Sequence, residues 1–277
     1  MFNKIFKYDF KFVFRLWWIY ALITAGLALI GGALLRGIIE FITANIDNFL
    51  FYILAFLGFF TVIIGLCCFP LAAVIICLVR YYKNFYSDEG YLTFTLPVKR
   101  TSLLNSKILT FLLFEIMSVA VLIIDIYLIL VIGIKGFHTE LANLLPMLLD
   151  ELKEIWNPSL TADVIIFPFL LLASALMGIN LYYLCFTVGS VISKRYKVLA
   201  ALGIYLGVSV AMSFIQQIIS SFTISNLMFT SITYTEFATN GAEFTIYLGL
   251  MTLLYGGIAI GAYFINLHCI KNKLNLS

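Results

Sequence analysis

Six stretches of this sequence stay apolar for long enough to cross a lipid bilayer, and that leaves few folds open. They are Trp17–Leu35, Phe49–Val79, Ile108–Ile134, Val164–Ile192, Val198–Phe222 and Phe244–Leu267. A helix needs about 20 apolar residues to traverse about 30 Å of hydrocarbon. Within lipid the backbone must satisfy its own hydrogen bonds, so stretches of this kind read as helices. The composition agrees: 63% of residues are hydrophobic, 11% are charged and the mean hydropathy is +1.06. A chain this apolar has too little polar surface to cover itself in water. The expected fold is all-α, a polytopic membrane helical bundle of about six transmembrane helices. The run Trp17–Leu35 is longer than a signal-peptide core and no small-residue cleavage pattern follows it, so it is read as a retained span.

The distribution of charge orients the bundle. Fourteen of the 17 Lys and Arg residues lie in one alternating set of segments: Lys4, Lys7, Lys11 and Arg15; Arg80, Lys83, Lys99, Arg100 and Lys107; Lys194, Arg195 and Lys197; Lys271 and Lys273. The opposite set holds Arg36, Lys135 and Lys153, together with Glu140, Asp150, Glu151, Glu154, Asp163, Glu236 and Glu243. By the positive-inside rule the basic set is cytoplasmic, which puts both termini in the cytoplasm of a multi-pass protein of the cell membrane. The five cysteines, Cys67, Cys68, Cys77, Cys185 and Cys269, lie in apolar runs or near presumed cytoplasmic ends, so no disulfide is expected.

Residues 1–16 read as an amphipathic elbow helix ahead of a six-span domain over 17–277. Lys4, Lys7, Lys11 and Arg15 fall within about 80° of arc at 100° per residue, with Phe2, Ile5, Phe6, Phe10 and Val13 broadly opposite. Such a helix lies in the headgroup plane with its basic stripe toward anionic membrane lipid. Outside, the segment 135–163 contains a second amphipathic pattern over Leu141–Trp156, read as lying on the outer leaflet or capping the bundle. The segment 223–243 reads as an outer loop or a shallow re-entrant turn. Small residues recur at Gly203, Gly207 and Ala211 and at Gly257 and Gly261, a spacing that lets helix backbones approach within one chain or between two.

The cytoplasmic segment 80–107 is too elaborate for a plain connector. It gathers Tyr81, Tyr82, Phe85, Tyr86, Tyr91 and Phe94 with Asp88 and Glu89. Ser87 is a candidate cap, Gly90 a candidate helix end, and Thr101 a candidate N-cap for the next span. Aromatic anchors of this kind suit either a docking surface or an aromatic belt at the membrane face.

Templates for chemistry fail. The two histidines, His138 and His268, lie on opposite sides of the membrane, and no H-E-x-x-H, G-x-S-x-G or G-x-x-x-x-G-K-[ST] motif is present. No feature reads as a nucleic-acid or metal site. Two acids, Glu115 and Asp125, fall inside a span, where an ionisable group is costly and marks a candidate functional position. They are ten residues apart and so point about 80° from one another. Ser209, Ser213, Gln216, Gln217 and Asn180 either line a polar pathway or bond between helices.

Asp88-Glu89-Gly90, Leu92, Leu96-Pro97, Arg100, Leu103-Leu104 and Ser106-Lys107, leading into a span, resemble the loop between the second and third spans of bacterial type 2 ATP-binding-cassette exporter permeases. The six-span layout and the amphipathic start match as well. The specific part of the resemblance covers about 25 residues of this chain. It implies a non-enzymatic permease subunit with no cofactor of its own, paired with a second permease chain, the same or homologous. Separate cytoplasmic ATPase subunits, which hold ATP and Mg, would dock on a coupling helix in the 80–107 segment. The resemblance makes Tyr82, Phe85, Tyr86, Asp88, Glu89 and Tyr91 the ATPase-contact candidates, and Thr61, Ser213, Gln216 and Gln217 the pathway candidates. A secondary transporter or channel using Glu115 or Asp125 is the alternative.

Overall fold

The computed structural model describes residues 2–44, 49–87, 90, 93, 95, 98–156, 158–193, 196–231 and 240–272. It contains helices α1 (Phe2–Thr43), α2 (Phe49–Tyr86), α3 (Arg100–Gly133), α4 (Phe137–Ile155), α5 (Pro158–Ile192), α6 (Lys197–Ser231) and α7 (Asn240–Asn272). No strand occurs among the described residues. All except α4 are long and apolar enough to cross a membrane, which makes six candidate spans. The protein is an all-α polytopic helical bundle.

The helices outrun the apolar stretches that announce them. Residues 2–16 are helical and amphipathic, but they continue into the span without a break, so residue 17 is no element boundary. No Gly or Pro interrupts the chain there, and the buried line Asp9, Val13, Trp17, Ala21 runs through at a spacing of four. At about 1.5 Å per residue α1 is about 63 Å long, roughly twice the hydrocarbon thickness. Helix α2 extends through Tyr86 and α3 begins at Arg100, so the connector expected over 80–107 shrinks to 87–99. The outer loop expected over 223–243 is likewise helical at both ends, and 232–239 lie outside the described residues. The outer amphipathic segment forms α4 after a reversal at Gly136, whose φ of 80° suits glycine. Its Leu144, Leu145, Leu148 and Leu149 are exposed.

The chain divides into two compact units, Met1–Arg80 with Leu109–Glu154, and Tyr81–Ile108 with Ile155–Ser277. In the first, α1 and α3 run in step. Phe10 meets Phe114, the Trp17 indole donates to the Ser118 hydroxyl at 2.8 Å, and Thr24 lies beside Asp125. Gly32 lies against Ile132. Positions 17, 24 and 31 of α1 and 118, 125 and 132 of α3 recur every seven residues, the repeat of a helix seam. Helix α2 runs the other way, with Arg80 against Asp9, Phe69 against Trp17, Gly65 against Leu27 and Gly58 against Leu34. Ala28, Val62, Leu66 and Ile129 close the centre. At the far end Glu40 accepts from Arg36 at 3.2 Å and Lys135 at 2.8 Å, thus gathering two of the three basic residues of the sparsely basic side. Both pairs are exposed, so solvent and salt screen them.

In the second unit α5 packs on both α6 and α7. Gly189 of α5 sits against the backbone of Ala201, where a Cβ would come within 2.7 Å of the amide nitrogen. The glycines of the two small-residue stripes make no close approach among the described residues. A Cβ added at Gly203, Gly207, Gly257 or Gly261 would meet nothing within 4 Å. The close approaches fall instead at Gly31, Gly32, Gly65, Gly133 and Gly189.

Two glycines of one helix therefore respond oppositely to the same change. Gly32→Ala drives a methyl to 2.7 Å from Ile132 Cβ and 3.3 Å from the Ile129 carbonyl oxygen, so α1 and α3 must part. The expected loss is about 1–3 kcal/mol. Gly26→Ala meets nothing within 4 Å and gains helix propensity, worth up to about 1 kcal/mol. Thermal unfolding of the purified variants in detergent, followed by helicity, should show a lower Tm for the first and an unchanged or higher Tm for the second.

Candidate functional site

The end of the second unit that carries α2's last turn is built around one hydroxyl. Tyr86 donates to Thr187 Oγ1 at 2.7 Å, Tyr81 lies 3.0 Å from the same oxygen, and Asn266 Oδ1 lies 2.6 Å from it. The Tyr183 carbonyl is 2.8 Å away, one turn back on α5. A hydroxyl has one proton to give and two lone pairs. Thr187 therefore accepts from the tyrosines and donates to Asn266 or to the Tyr183 carbonyl. The Asn266 amide nitrogen has no partner among the described residues. Tyr81 stacks on Tyr183 with ring centroids 3.9 Å apart, and the Tyr183 hydroxyl donates to the Lys107 carbonyl at 3.2 Å. Tyr81, Phe85, Tyr183, Thr187 and Asn266 are all fully buried. Four helices, α2, α3, α5 and α7, thus meet in one polar and aromatic core.

Two cations clamp helix ends onto this core. Lys197, the first residue of α6, donates to the Tyr86 carbonyl at the end of α2, at 3.3 Å. Arg100, the first residue of α3, donates from Nη1 to the carbonyls of Ile270 at 2.7 Å and Lys271 at 2.6 Å, near the end of α7. The last carbonyls of a helix lack intrahelical donors and carry the negative end of its dipole, so a cation there satisfies both needs. The 87–99 segment is consequently fixed at both ends.

Within that segment the described residues Gly90, Thr93 and Thr95 have helical backbone. The Ser87 hydroxyl bonds back to the Lys83 carbonyl at 2.6 Å. Gly90 itself has helical backbone. Its amide bonds the Ser87 carbonyl at 2.8 Å, and a Cβ there would stand 2.9 Å from the Phe85 carbonyl oxygen. Thr101 lies inside α3, and the Lys99 carbonyl accepts the first bonds of that helix.

The contact candidates separate by burial. Tyr82 is half-exposed, beside Tyr86 and Phe186. Phe85 and Tyr86 are buried and belong to the core, not to a docking surface. Asp88, Glu89 and Tyr91 lie outside the described residues. Among the pathway candidates, Thr61 is exposed on α2 and bonds its own helix at the Gly58 carbonyl, 2.7 Å away. Ser213 likewise bonds back to Ser209. Gln216 donates to the Tyr255 hydroxyl at 2.7 Å and so joins α6 to α7, whereas Gln217 is exposed. Asn180 bonds the Leu176 carbonyl within its own helix.

The two intramembrane acids occupy different settings. Glu115 is half-buried. Asp125 is 1% exposed in the α1–α3 seam beside Thr24, and its Oδ2 has no partner among the described residues. A further acid, Asp9, escaped the sequence reading. It is buried and pairs with Arg80 at 3.5 Å, while the Arg80 guanidinium lies 4.3 Å from the Phe12 ring centroid. Thr187 and Asn266 escaped too. Their signal was a polar face on an apolar helix, with Tyr183, Thr187 and Ser190 spaced four and three apart on α5.

Comparison with protein-family models, with curated proteins and with solved structures finds no match to this chain.

Replacing Thr187 by Val keeps the shape and removes the hub. The buried Tyr86 hydroxyl then loses its acceptor, and Tyr81 keeps only its 3.4 Å bond to Asn266 Oδ1, for an expected loss of about 1–3 kcal/mol. Thermal unfolding of Thr187→Val should give a clearly lowered Tm, and Thr187→Ser should recover most of it.

Proposed function

We propose that this chain is the transmembrane permease subunit of an ATP-driven exporter, paired with a second permease chain and energised by separate cytoplasmic ATPase subunits. The observation that carries this reading is the anchoring of the 87–99 segment. Its resemblance to an ATPase-docking loop covers Asp88 to Lys107, and its two ends are held on the helices that an ATPase would have to move. Helical backbone at Gly90, Thr93 and Thr95 supports a coupling helix there. The exposed face of α6 supports pairing with another permease. Almost every residue of that span's apolar stretch is at least partly exposed, and Gln217 presents an amide on the same face as Gly203, Val210 and Phe214. An amide left against lipid is costly, whereas a partner helix or a polar pathway accommodates it.

On this reading the basic segments are cytoplasmic, and Tyr82, Asp88 and Glu89 offer the ATPase contact. Double substitution Asp88→Ala with Glu89→Ala should weaken recruitment of the ATPase about tenfold while leaving the Tm of the bundle unchanged. Copurification of a Walker-type ATPase from native membranes is the assay. Wild-type recruitment by the double variant, or the absence of any such ATPase from the native complex, overturns the assignment.

One observation favours the second reading, a transporter driven through an intramembrane carboxylate. Asp125 is buried with an unpartnered oxygen. The exporter reading predicts that Asp125→Asn leaves ATP-dependent transport within about twofold of wild type, because the amide still reaches Thr24. Full loss of transport at normal membrane levels, with transport that collapses when the proton gradient is dissipated, would favour the carboxylate mechanism.

A further inference from the structure

Helix α7 carries one stripe that the other described residues leave exposed. Leu250, Leu253, Gly257, Gly261, Phe264, His268 and Lys271 follow one another at spacings of three and four, and every one of them is exposed. The stripe is graded. It is aliphatic at Leu250 and Leu253, notched at the two glycines, aromatic at Phe264, and polar then basic at His268 and Lys271. Phe264, Ile265, Leu267, His268 and Lys271 line a groove of about 490 Å³ at the basic end.

We propose that this stripe is a binding site for an anionic phospholipid of the leaflet on the Lys- and Arg-rich side. The phosphate sits against Lys271 and His268, and an acyl chain runs down past Phe264 into the notch at Gly261 and Gly257. Length fits this occupant. From His268 to Gly257 is about 16 Å along the helix axis, close to the depth of one leaflet's hydrocarbon, about 15 Å. The notch is open, since nothing lies within 4 Å of a Cβ placed at either glycine.

Charge fits as well. The carbonyl end of α7 would ordinarily repel a phosphate through its partial negative charge. Here Arg100 already donates to the Ile270 and Lys271 carbonyls and offsets that charge. No Asp or Glu occurs between residues 244 and 277 to oppose the headgroup. Basic sites of this kind at a bilayer face take up anionic headgroups. A second copy of the chain suits the stripe less well. A two-fold axis along the membrane normal places equal heights together, so Lys271 would face the Lys271 of the other copy, where like charges repel.

The test uses the full chain reconstituted in nanodiscs that contain phosphatidylglycerol and phosphatidylcholine, then released and weighed by native mass spectrometry. Wild type should retain phosphatidylglycerol in preference to phosphatidylcholine. Lys271→Ala should lower that preference about fivefold, and Lys153→Ala, in the sparsely basic set, should leave it unchanged. A second measurement does not depend on removing the site. Phe264→Trp should be quenched more strongly by brominated phosphatidylglycerol than by brominated phosphatidylcholine. Equal retention and equal quenching of the two lipids overturn the proposal, as does wild-type preference in Lys271→Ala. So does efficient cross-linking of two chains through Gly257→Cys in native membranes, which would assign the stripe to a second copy. None of these readouts requires an ATPase or transport, so the outcome is separable from that of the exporter reading.

Discussion

Lipid offers a helix neither a hydrogen-bond partner nor a hydrophobic reason to leave it, and the architecture follows from that double constraint. Every span satisfies its own backbone, and association must then come from close packing and from polar side chains. The first unit uses both. Gly31, Gly32, Gly65 and Gly133 are where a Cβ would collide with Val62, Ile132, Leu27 and Leu35. Between those contacts Trp17 bonds Ser118 and Thr24 lies beside the buried Asp125. The heptad repeat places the polar pairs at the same seam as the glycines. One face of α1 therefore carries both the shape and the directional bonds that fix its register against α3.

The second unit meets the same constraint with fewer close contacts and a larger polar core. A single threonine on α5 gathers side chains from α2 and α7, with Tyr183 linking it to the start of α3. Buried polar groups are costly when one of a set is missing, so such a node specifies one arrangement of four helices. The faces of α5, α6 and α7 turned away from this core are apolar and uncovered. That is the expected condition for surfaces whose solvent is lipid or another helix.

Sequence legibility followed the range of the interaction. Span number and approximate position depend only on local hydropathy, and six apolar runs became six candidate spans. Helix ends were less legible, because α1, α2 and α3 continue into amphipathic turns that are held by packing at Asp9, Tyr81–Tyr86 and Leu103–Lys107. Phe85 and Tyr86 looked like docking residues because an aromatic between a span and a charged loop reads the same whether it faces a partner or the interior. Only the position of Thr187, about a hundred residues away, decides between the two. The glycine stripes misled for the same reason. Spacing says that a helix can be approached closely, but not which helix approaches it.

Two of the basic residues beside the spans also finish neighbouring helices. Positive-inside bias is usually read as a retention effect, with Lys and Arg simply left on one side. Here two of those residues terminate helices that are not their own: Lys197 at the end of α2, and Arg100 near the end of α7. Each stands at the first position of its own helix, so the same contact starts one helix and finishes another. Helix ends buried in a bundle need donors for their last carbonyls, and on this side of the membrane Lys and Arg are the donors most available. The result is a set of short connections whose ends are tied across the second unit instead of only along the chain. The residues that flank the 87–99 segment are thereby joined to three helices: to α5 through Tyr86 and Thr187, to α6 through Lys197, and to α7 through Arg100.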